Sequence, residues 1–104
     1  MLSEFTKVAD SSEISPGKMK SVKFMDQDVM IANVNGQFYA LSNKCTHMGG
    51  PLAKGKLDGY VVQCPWHGSK FDVRTGEVVG PPARSPQERF EVKLENNGIF
   101  VRKY

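Results

Sequence analysis

The sequence predicts a small all-β domain built from short antiparallel strands. Apolar and polar residues alternate in several short runs, and turn-forming pairs such as Asn35-Gly36 and Thr75-Gly76 separate these runs. No segment shows the sustained apolar period of about 3.6 residues that an amphipathic helix requires. Short strands separated by regular turn signals are typical of a β-sandwich or a β-barrel.

The individual strands follow from composition and from the turns between them. We expect strands or strand segments at Phe5–Val8, Met19–Phe24, Val29–Val34, Phe38–Leu41, Tyr60–Gln63, Phe71–Val73, Val78–Val79, Phe90–Leu94 and Ile99–Val101. Asn35-Gly36 favours the positive φ angles of a type I′ hairpin turn. Asp10–Glu13 predicts a capped helical turn. The loop at Gly80–Ala83 is expected to be irregular, because its two prolines lack backbone N–H donors.

The alternating apolar residues are the predicted core. They include Val34, Phe38, Leu41, Phe90, Val92 and Leu94. With 104 residues, 39% of them hydrophobic and 24% charged, the chain predicts one folded domain over residues 1–104. The longest apolar stretch is Val29–Ala32, whereas a membrane-spanning helix needs about 20 apolar residues. The first residues show no apolar signal sequence, so a cytoplasmic location without membrane attachment is expected.

Positive charge is concentrated in the middle of the chain. The net charge is +3, and six basic but only three acidic residues lie between Lys44 and Arg84. This excess is either an ordinary solvated surface or a mildly basic site that attracts an acidic partner. No basic stripe with interleaved aromatic residues is present, so a nucleic-acid partner is not expected.

Two short motifs contain all the cysteines and histidines of the chain. They are Cys45-Thr46-His47 and Cys64-Pro65-Trp66-His67, and glycines follow each pair. Two cysteines in a reducing compartment more often bind a metal or react than form a disulfide. A zinc site with two cysteines and two histidines would need the same ligands, although zinc fingers usually keep the cysteines and histidines in separate pairs. These residues therefore predict a metal site and leave the metal open.

The segments Cys45–Gly50 and Cys64–Ser69 resemble the two ligand loops of Rieske iron–sulfur proteins. The resemblance continues through Phe71–Gly76 and Gly80-Pro81-Pro82 and is close over residues 42–83. It implies a Rieske fold with small antiparallel sheets, in which a cluster-binding subdomain at about 42–83 lies within the single domain. It also implies one [2Fe–2S] cluster per chain, with Cys45 and Cys64 on one iron and His47 and His67 on the other.

Departures from the resembled pattern point to the soluble ferredoxin branch. Rieske subunits of cytochrome complexes have a disulfide between two additional cysteines, and Gly50 and Trp66 occupy the matching positions. High-potential members also have a serine and a tyrosine that donate hydrogen bonds to cluster sulfurs. Ser69 matches the serine, but Phe71 replaces the tyrosine and cannot donate. We therefore expect a reduction potential in the lower half of the roughly −150 to +300 mV Rieske range.

The resemblance implies a one-electron carrier rather than an enzyme. No histidine remains for the mononuclear iron site of a Rieske oxygenase. The expected donor is an NAD(P)H-dependent flavoprotein reductase, and the expected acceptor is a terminal oxygenase. An apolar rim for docking is expected from Trp66, Met48, Pro51, Pro81 and Pro82. The alternatives are an accessory or redox-sensing subunit of a larger enzyme and a structural zinc module.

Overall fold

The computed structural model describes residues 5–46, 49–66 and 68–104. These residues form ten strands and two short 3₁₀ turns, and they contain no α-helix. The strands are β1 (Thr6–Asp10), β2 (Met19–Phe24), β3 (Gln27–Val34), β4 (Gln37–Ser42), β5 (Lys56–Asp58), β6 (Val61–Gln63), β7 (Lys70–Asp72), β8 (Val78–Gly80), β9 (Arg89–Glu95) and β10 (Gly98–Lys103). The predicted all-β class is confirmed. No helix in the described ranges is long and apolar enough to cross a membrane.

The described strands form two antiparallel sheets. The larger has six strands in the order β1-β10-β9-β4-β3-β2, and its edge strands β1 and β2 contact each other, so it curls into a nearly closed barrel. The smaller is a meander of four strands, β5-β6-β7-β8. The chain leaves the barrel after β4 and returns to it at β9. The smaller sheet and its loops therefore form one insertion between strands β4 and β9 of the barrel.

The predicted turns connect the predicted strands. Asn35 and Gly36 have φ angles of 54° and 91° and join β3 to β4, with Val34 paired to Gln37. Both angles are positive, as a type I′ turn requires. The turn around Gly76 likewise joins β7 to β8. The predicted helical turn is a 3₁₀ turn at Ser11–Glu13, where the Glu13 carboxylate accepts a 2.9 Å hydrogen bond from the Asp10 backbone N–H. The sequence did not predict β5 or the 3₁₀ turn at Leu52–Lys54.

Strand β3 separates two apolar cores. Val29 and Ile31 face the inside of the barrel, where they pack with Phe90 and Ile99 (the barrel core). The intervening Met30, Ala32 and Val34 face the smaller sheet. They pack with a second set of residues, which we call the site core: Leu41, Cys45, Leu52, Val62, Cys64, Phe71, Val73 and Ala83. Because both faces of β3 are covered, every residue from Val29 to Val34 is buried.

The predicted core is correct except at one position. Val34, Leu41 and Phe90 are buried, and Phe38 and Val92 are partly buried. Leu94 is 52% exposed, so its assignment to the core was wrong. Alternation along a strand identifies a face but does not show how far that face is covered. Leu94 lies near the end of β9 and lines an open surface cleft.

This difference in burial predicts different costs for two truncations in the same hairpin. Ile99→Ala, at a fully buried position, is expected to lower the free energy of unfolding by about 2–5 kcal/mol. Leu94→Ala, its cross-strand control, is expected to cost less than about 1 kcal/mol. Urea unfolding followed by far-UV circular dichroism measures both values. Equal losses would show that Leu94 belongs to the core.

Candidate metal centre

Two buried cysteines lie next to each other between the sheets. Cys45 follows β4 and is 3% exposed, and Cys64 follows β6 and is 2% exposed. Neither forms a disulfide, and the Cys45 side chain is within hydrogen-bonding reach of the Cys64 sulfur. Two adjacent buried thiols, once deprotonated, provide two soft ligands for one metal centre.

The two cysteine loops are built alike. The Cys45 N–H donates to the Gly50 carbonyl at 2.9 Å, and the Cys64 N–H donates to the Ser69 carbonyl at 2.7 Å. Each bond therefore closes a loop onto the carbonyl five positions later. The residue before that carbonyl is a glycine with positive φ in both loops, 80° at Gly49 and 79° at Gly68. Glycine adopts this conformation without steric cost, so each loop can turn tightly around its cysteine.

Gly50 brings the first loop against the second. A Cβ atom at this position would lie 2.8 Å from the Cys64 sulfur and 3.0 Å from the Trp66 ring. Any side chain would therefore force the loops apart. This packing also places Gly50 beside Trp66, the two positions where the resembled cytochrome-complex subunits have their additional cysteines. The short approach indicates that the two loops act as one site.

Burial affects the chemistry of Cys64. Removal from water raises the pKa of the Cys64 thiol, the neighbouring Cys45 raises it further, and the Trp66 N–H lowers it. This donor is the backbone N–H of Trp66, which lies 3.4 Å from the Cys64 sulfur. Binding iron requires the thiolate, so a metal would have to compensate for this burial. The Trp66 N–H is positioned to stabilise the negative sulfur.

The two residues predicted to tune the potential are both fully buried. Ser69 is 0% exposed, and its hydroxyl oxygen accepts a 3.0 Å hydrogen bond from the Ala83 N–H. The hydroxyl proton is therefore free to be donated elsewhere. Phe71 is also 0% exposed and packs in the site core with both cysteines.

The predicted ligands His47 and His67 and the predicted rim residue Met48 lie outside the described residues. The remaining predicted rim residues reach the surface to different extents. Trp66 is 49% exposed, and Pro81 is also exposed. Pro51 and Pro82 are half-buried. An exposed indole ring thus lies over Gly50, next to the buried Cys64.

Two buried polar residues that sequence reasoning missed hold the first loop. The Asn43 carbonyl and side-chain oxygen accept hydrogen bonds of 2.8 Å from the Leu52 and Ala53 N–H groups, beyond the loop. The Gln87 side chain accepts from the Thr46 N–H at 2.7 Å. A single Asn or Gln outside a motif gives no sequence signal, because such residues are mostly found on the surface.

Charges around the site are less paired than those elsewhere. The described part of the chain contains six ion pairs: Lys7–Asp10, Lys20–Glu13, Lys23–Asp28, Arg74–Asp72, Lys93–Glu95 and Arg102–Glu91. Within residues 44–84, only Arg74 and Asp72 belong to this set. Five cations there have no ion-pair partner among the described residues: Lys44, Lys54, Lys56, Lys70 and Arg84. Lys54 and Lys56 line a cleft of about 360 Å³ that reaches Cys64.

Comparison with known proteins identifies relatives over nearly the whole chain. The chain is 40% identical over 98 residues to the biphenyl dioxygenase ferredoxin subunit of Pseudomonas sp. (strain KKS102), covering 93% of this chain and 90% of that protein. It is 37% identical to human Apoptosis-inducing factor 3 over 95 residues, 91% of this chain, but spans only 16% of that protein's length.

Comparison with solved structures also identifies ferredoxins that match nearly the whole chain. The ferredoxin of carbazole 1,9a-dioxygenase from Nocardioides aromaticivorans IC177 superposes with a TM-score of 0.93 at 28% identity, covering 98% of this chain and all of that one. A ferredoxin-sized chain in a complex of reduced oxygenase and oxidized ferredoxin in carbazole 1,9a-dioxygenase has a TM-score of 0.89 at 34% identity, with 94% of this chain and 92% of that chain covered.

The family model for the Rieske [2Fe–2S] domain matches residues 4–97. This match favours an iron–sulfur cluster over structural zinc, and the buried thiol pair fits such a cluster. Relatives of which this chain covers 90% or more are named as the ferredoxin subunit or component of biphenyl dioxygenases and as the ferredoxin of carbazole 1,9a-dioxygenase. The chain therefore belongs to the Rieske [2Fe–2S] domain family and holds one Rieske-type cluster.

Proposed function

We propose that Cys45 and Cys64 bind one iron of the cluster and His47 and His67 bind the other. The observation that carries this proposal is the pair of buried thiols held side by side by two loops of equivalent construction. Each histidine follows its cysteine by two or three positions in the same loop. We further propose residues 42–83 as the cluster-binding subdomain, with the barrel as its support.

The proposed function is transfer of one electron. When bound, the cluster supplies a centre that takes up and releases a single electron. The chain's own residues keep water away from the thiolates, donate hydrogen bonds to them and present one edge of the site to a partner. We propose an NAD(P)H-dependent flavoprotein reductase as the electron donor and a terminal oxygenase as the acceptor, both acting in the cytoplasm. The naming of relatives as ferredoxin components of dioxygenase systems supports this direction of transfer.

A second candidate is an accessory role within a larger enzyme. Its support is the similarity to a 16% portion of Apoptosis-inducing factor 3, a much longer protein. Purification from the native cell separates the candidates. A freely diffusing carrier elutes alone and is reduced by a separate reductase, whereas an accessory subunit co-elutes with its enzyme.

The ligand assignment predicts a specific response to mutation. The purified chain should contain two iron and two acid-labile sulfide per molecule, and pulsed EPR of the reduced protein should show coupling to histidine nitrogen. In His47→Ala and in His67→Ala, either the coupling to the nitrogen of the substituted histidine should disappear or the protein should no longer retain the cluster. Met25→Ala, at a position 70% exposed, is the control and should keep both. Stoichiometric zinc, or an unchanged spectrum in both histidine variants, would refute the assignment.

We propose that Ser69 raises the reduction potential and that Phe71 leaves it low. A hydroxyl that donates to a cluster sulfur stabilises the reduced, more negative state. The Ser69 hydroxyl lies buried in the site core, and the accepted Ala83 bond fixes its oxygen while leaving its proton available. The Phe71 ring is buried at the position of the missing donor.

Two substitutions should therefore shift the potential in opposite directions. Ser69→Ala removes a donor and should lower the potential. Phe71→Tyr adds one and should raise it, each by about 50 mV, because a hydrogen bond worth about 1 kcal/mol more in one redox state corresponds to this shift for one electron. Voltammetry of the holoproteins measures both. Shifts of the same sign would mean that changed packing, and not hydrogen bonding, controls the potential.

We propose that the partner docks over the exposed Trp66, with Met48, Pro51, Pro81 and Pro82 as an apolar rim. Two cations without ion-pair partners among the described residues, Lys54 and Lys56, lie in the cleft beside Cys64 and Pro65, so the docking face of the partner should be acidic. The cleft lined by Lys54 and Lys56 reaches Cys64, which would place a partner carboxylate close to the cluster. Aromatic anchors with a surrounding polar rim are typical of small, transient interfaces.

Docking by charge predicts a dependence on salt. Lys54→Gln and Lys56→Gln together should slow electron transfer at low ionic strength and flatten its decline with added salt. The control is a double variant with the same charge loss outside the site, Lys7→Gln with Lys93→Gln, which should retain the wild-type salt dependence. Stopped-flow reduction by the reductase, or oxidation by the oxygenase, measures the rate. Identical salt dependence in all three proteins would exclude the basic cleft as the docking site.

A further inference from the structure

Gln87 is a buried amide in the loop between β8 and β9, and it points at the first cysteine loop. The residue is 4% exposed. Its side-chain oxygen accepts from the Thr46 N–H at 2.7 Å. Its side-chain nitrogen donates to the Ser42 carbonyl at 2.7 Å and to the Lys44 carbonyl at 3.0 Å. All three partners are backbone groups, and they flank Cys45 on both sides.

These partners fix the amide in one orientation. The two carbonyls can only accept and the Thr46 N–H can only donate, so a flipped amide would lose all three bonds. A buried amide with this many partners is costly to disturb, because its own oxygen and nitrogen would lose their hydrogen bonds in a place that water reaches poorly. The side chain thus acts as a short cross-link between the end of β4 and the first loop.

The backbone of Gln87 is itself bound to the smaller sheet. Its backbone N–H donates to the Gly76 carbonyl at 2.8 Å, in the turn between β7 and β8. Two residues earlier, the Ser85 carbonyl accepts from the Thr46 hydroxyl at 2.7 Å. Segment 85–87 therefore accepts hydrogen bonds from the backbone N–H and from the hydroxyl of Thr46, the residue between Cys45 and His47.

We infer that Gln87 is a positioning residue that holds the first ligand loop in its metal-binding conformation. It binds no metal itself and acts through Thr46 and Lys44, the two neighbours of Cys45 in the chain. This role rests on the proposed ligand set. Loss of the cross-link should let the first loop open locally, so that iron escapes while the barrel stays folded.

Iron release to a chelator in excess, measured well below the unfolding temperature, tests this role. Gln87→Met keeps the length of the side chain and removes its hydrogen bonds. We expect at least tenfold faster release, because a factor of ten corresponds to about 1.4 kcal/mol, roughly one hydrogen bond, and the substitution removes three. Thr46→Val keeps the β-branched shape, removes only the bond to Ser85 and should accelerate release less. EPR lines should broaden in Gln87→Met, because the loop then samples several geometries.

The matched control is Val101→Ala, at a fully buried position of the barrel core. It should lower the midpoint of thermal unfolding at least as much as Gln87→Met and yet release iron at the wild-type rate. If release from all three variants simply follows their unfolding midpoints, Gln87 has only a general structural role and the inference is overturned. If Gln87→Met does not fold, Gln87→Glu decides, because it keeps the acceptor for the Thr46 N–H and loses both donated bonds to the Ser42 and Lys44 carbonyls. Faster release from Gln87→Glu would support the inference, and release at the wild-type rate would overturn it. Absence of a Rieske cluster from the wild-type chain would instead refute the proposed function.

Discussion

The side-by-side burial of Cys45 and Cys64 is the constraint on which the rest of the site depends. Burial and the neighbouring Cys45 raise the pKa of the Cys64 thiol, so this arrangement is unfavourable for the Cys64 thiolate unless a metal neutralises its charge. The loops tolerate it because each closes on itself through a backbone hydrogen bond, and because Gly50 has no side chain to separate them. The fold thus holds two buried sulfur atoms side by side, where a bound metal would favour the ionised form of Cys64.

The barrel supports these loops through a shared strand. Strand β3 belongs to both cores, so the residues facing the cysteines are continuous with those that hold the barrel together. Asn43 and Gln87 then tie the first loop to its surroundings with buried hydrogen bonds. A carrier of single electrons benefits from such support, because a site that does not rearrange between its two redox states exchanges electrons at low cost.

Burial and exposure are divided in a way that suits transfer between proteins. The two cysteines are nearly inaccessible, whereas the indole ring over Gly50 is half exposed. Lys54 and Lys56, which have no ion-pair partner among the described residues, line the cleft that reaches Cys64. Most other charges on the described chain neutralise one another locally. Uncompensated positive charge therefore lies beside the surface that we propose for partner docking.

The sequence by itself determined all the described strands except β5, the hairpin turns and, through the resemblance of its two Cys-His motifs, the kind of centre. Alternation and turn chemistry are local properties of the sequence. A Cys-His motif is also local, because its residues lie within three positions of each other. Only the tertiary structure decided which apolar residues are covered, as the exposed Leu94 shows, and which distant polar residues support the loops. Gln87 lies 41 positions from Thr46 and meets it only because the smaller sheet folds back onto the end of β4. Such contacts depend on the packing of two sheets, which no local pattern encodes.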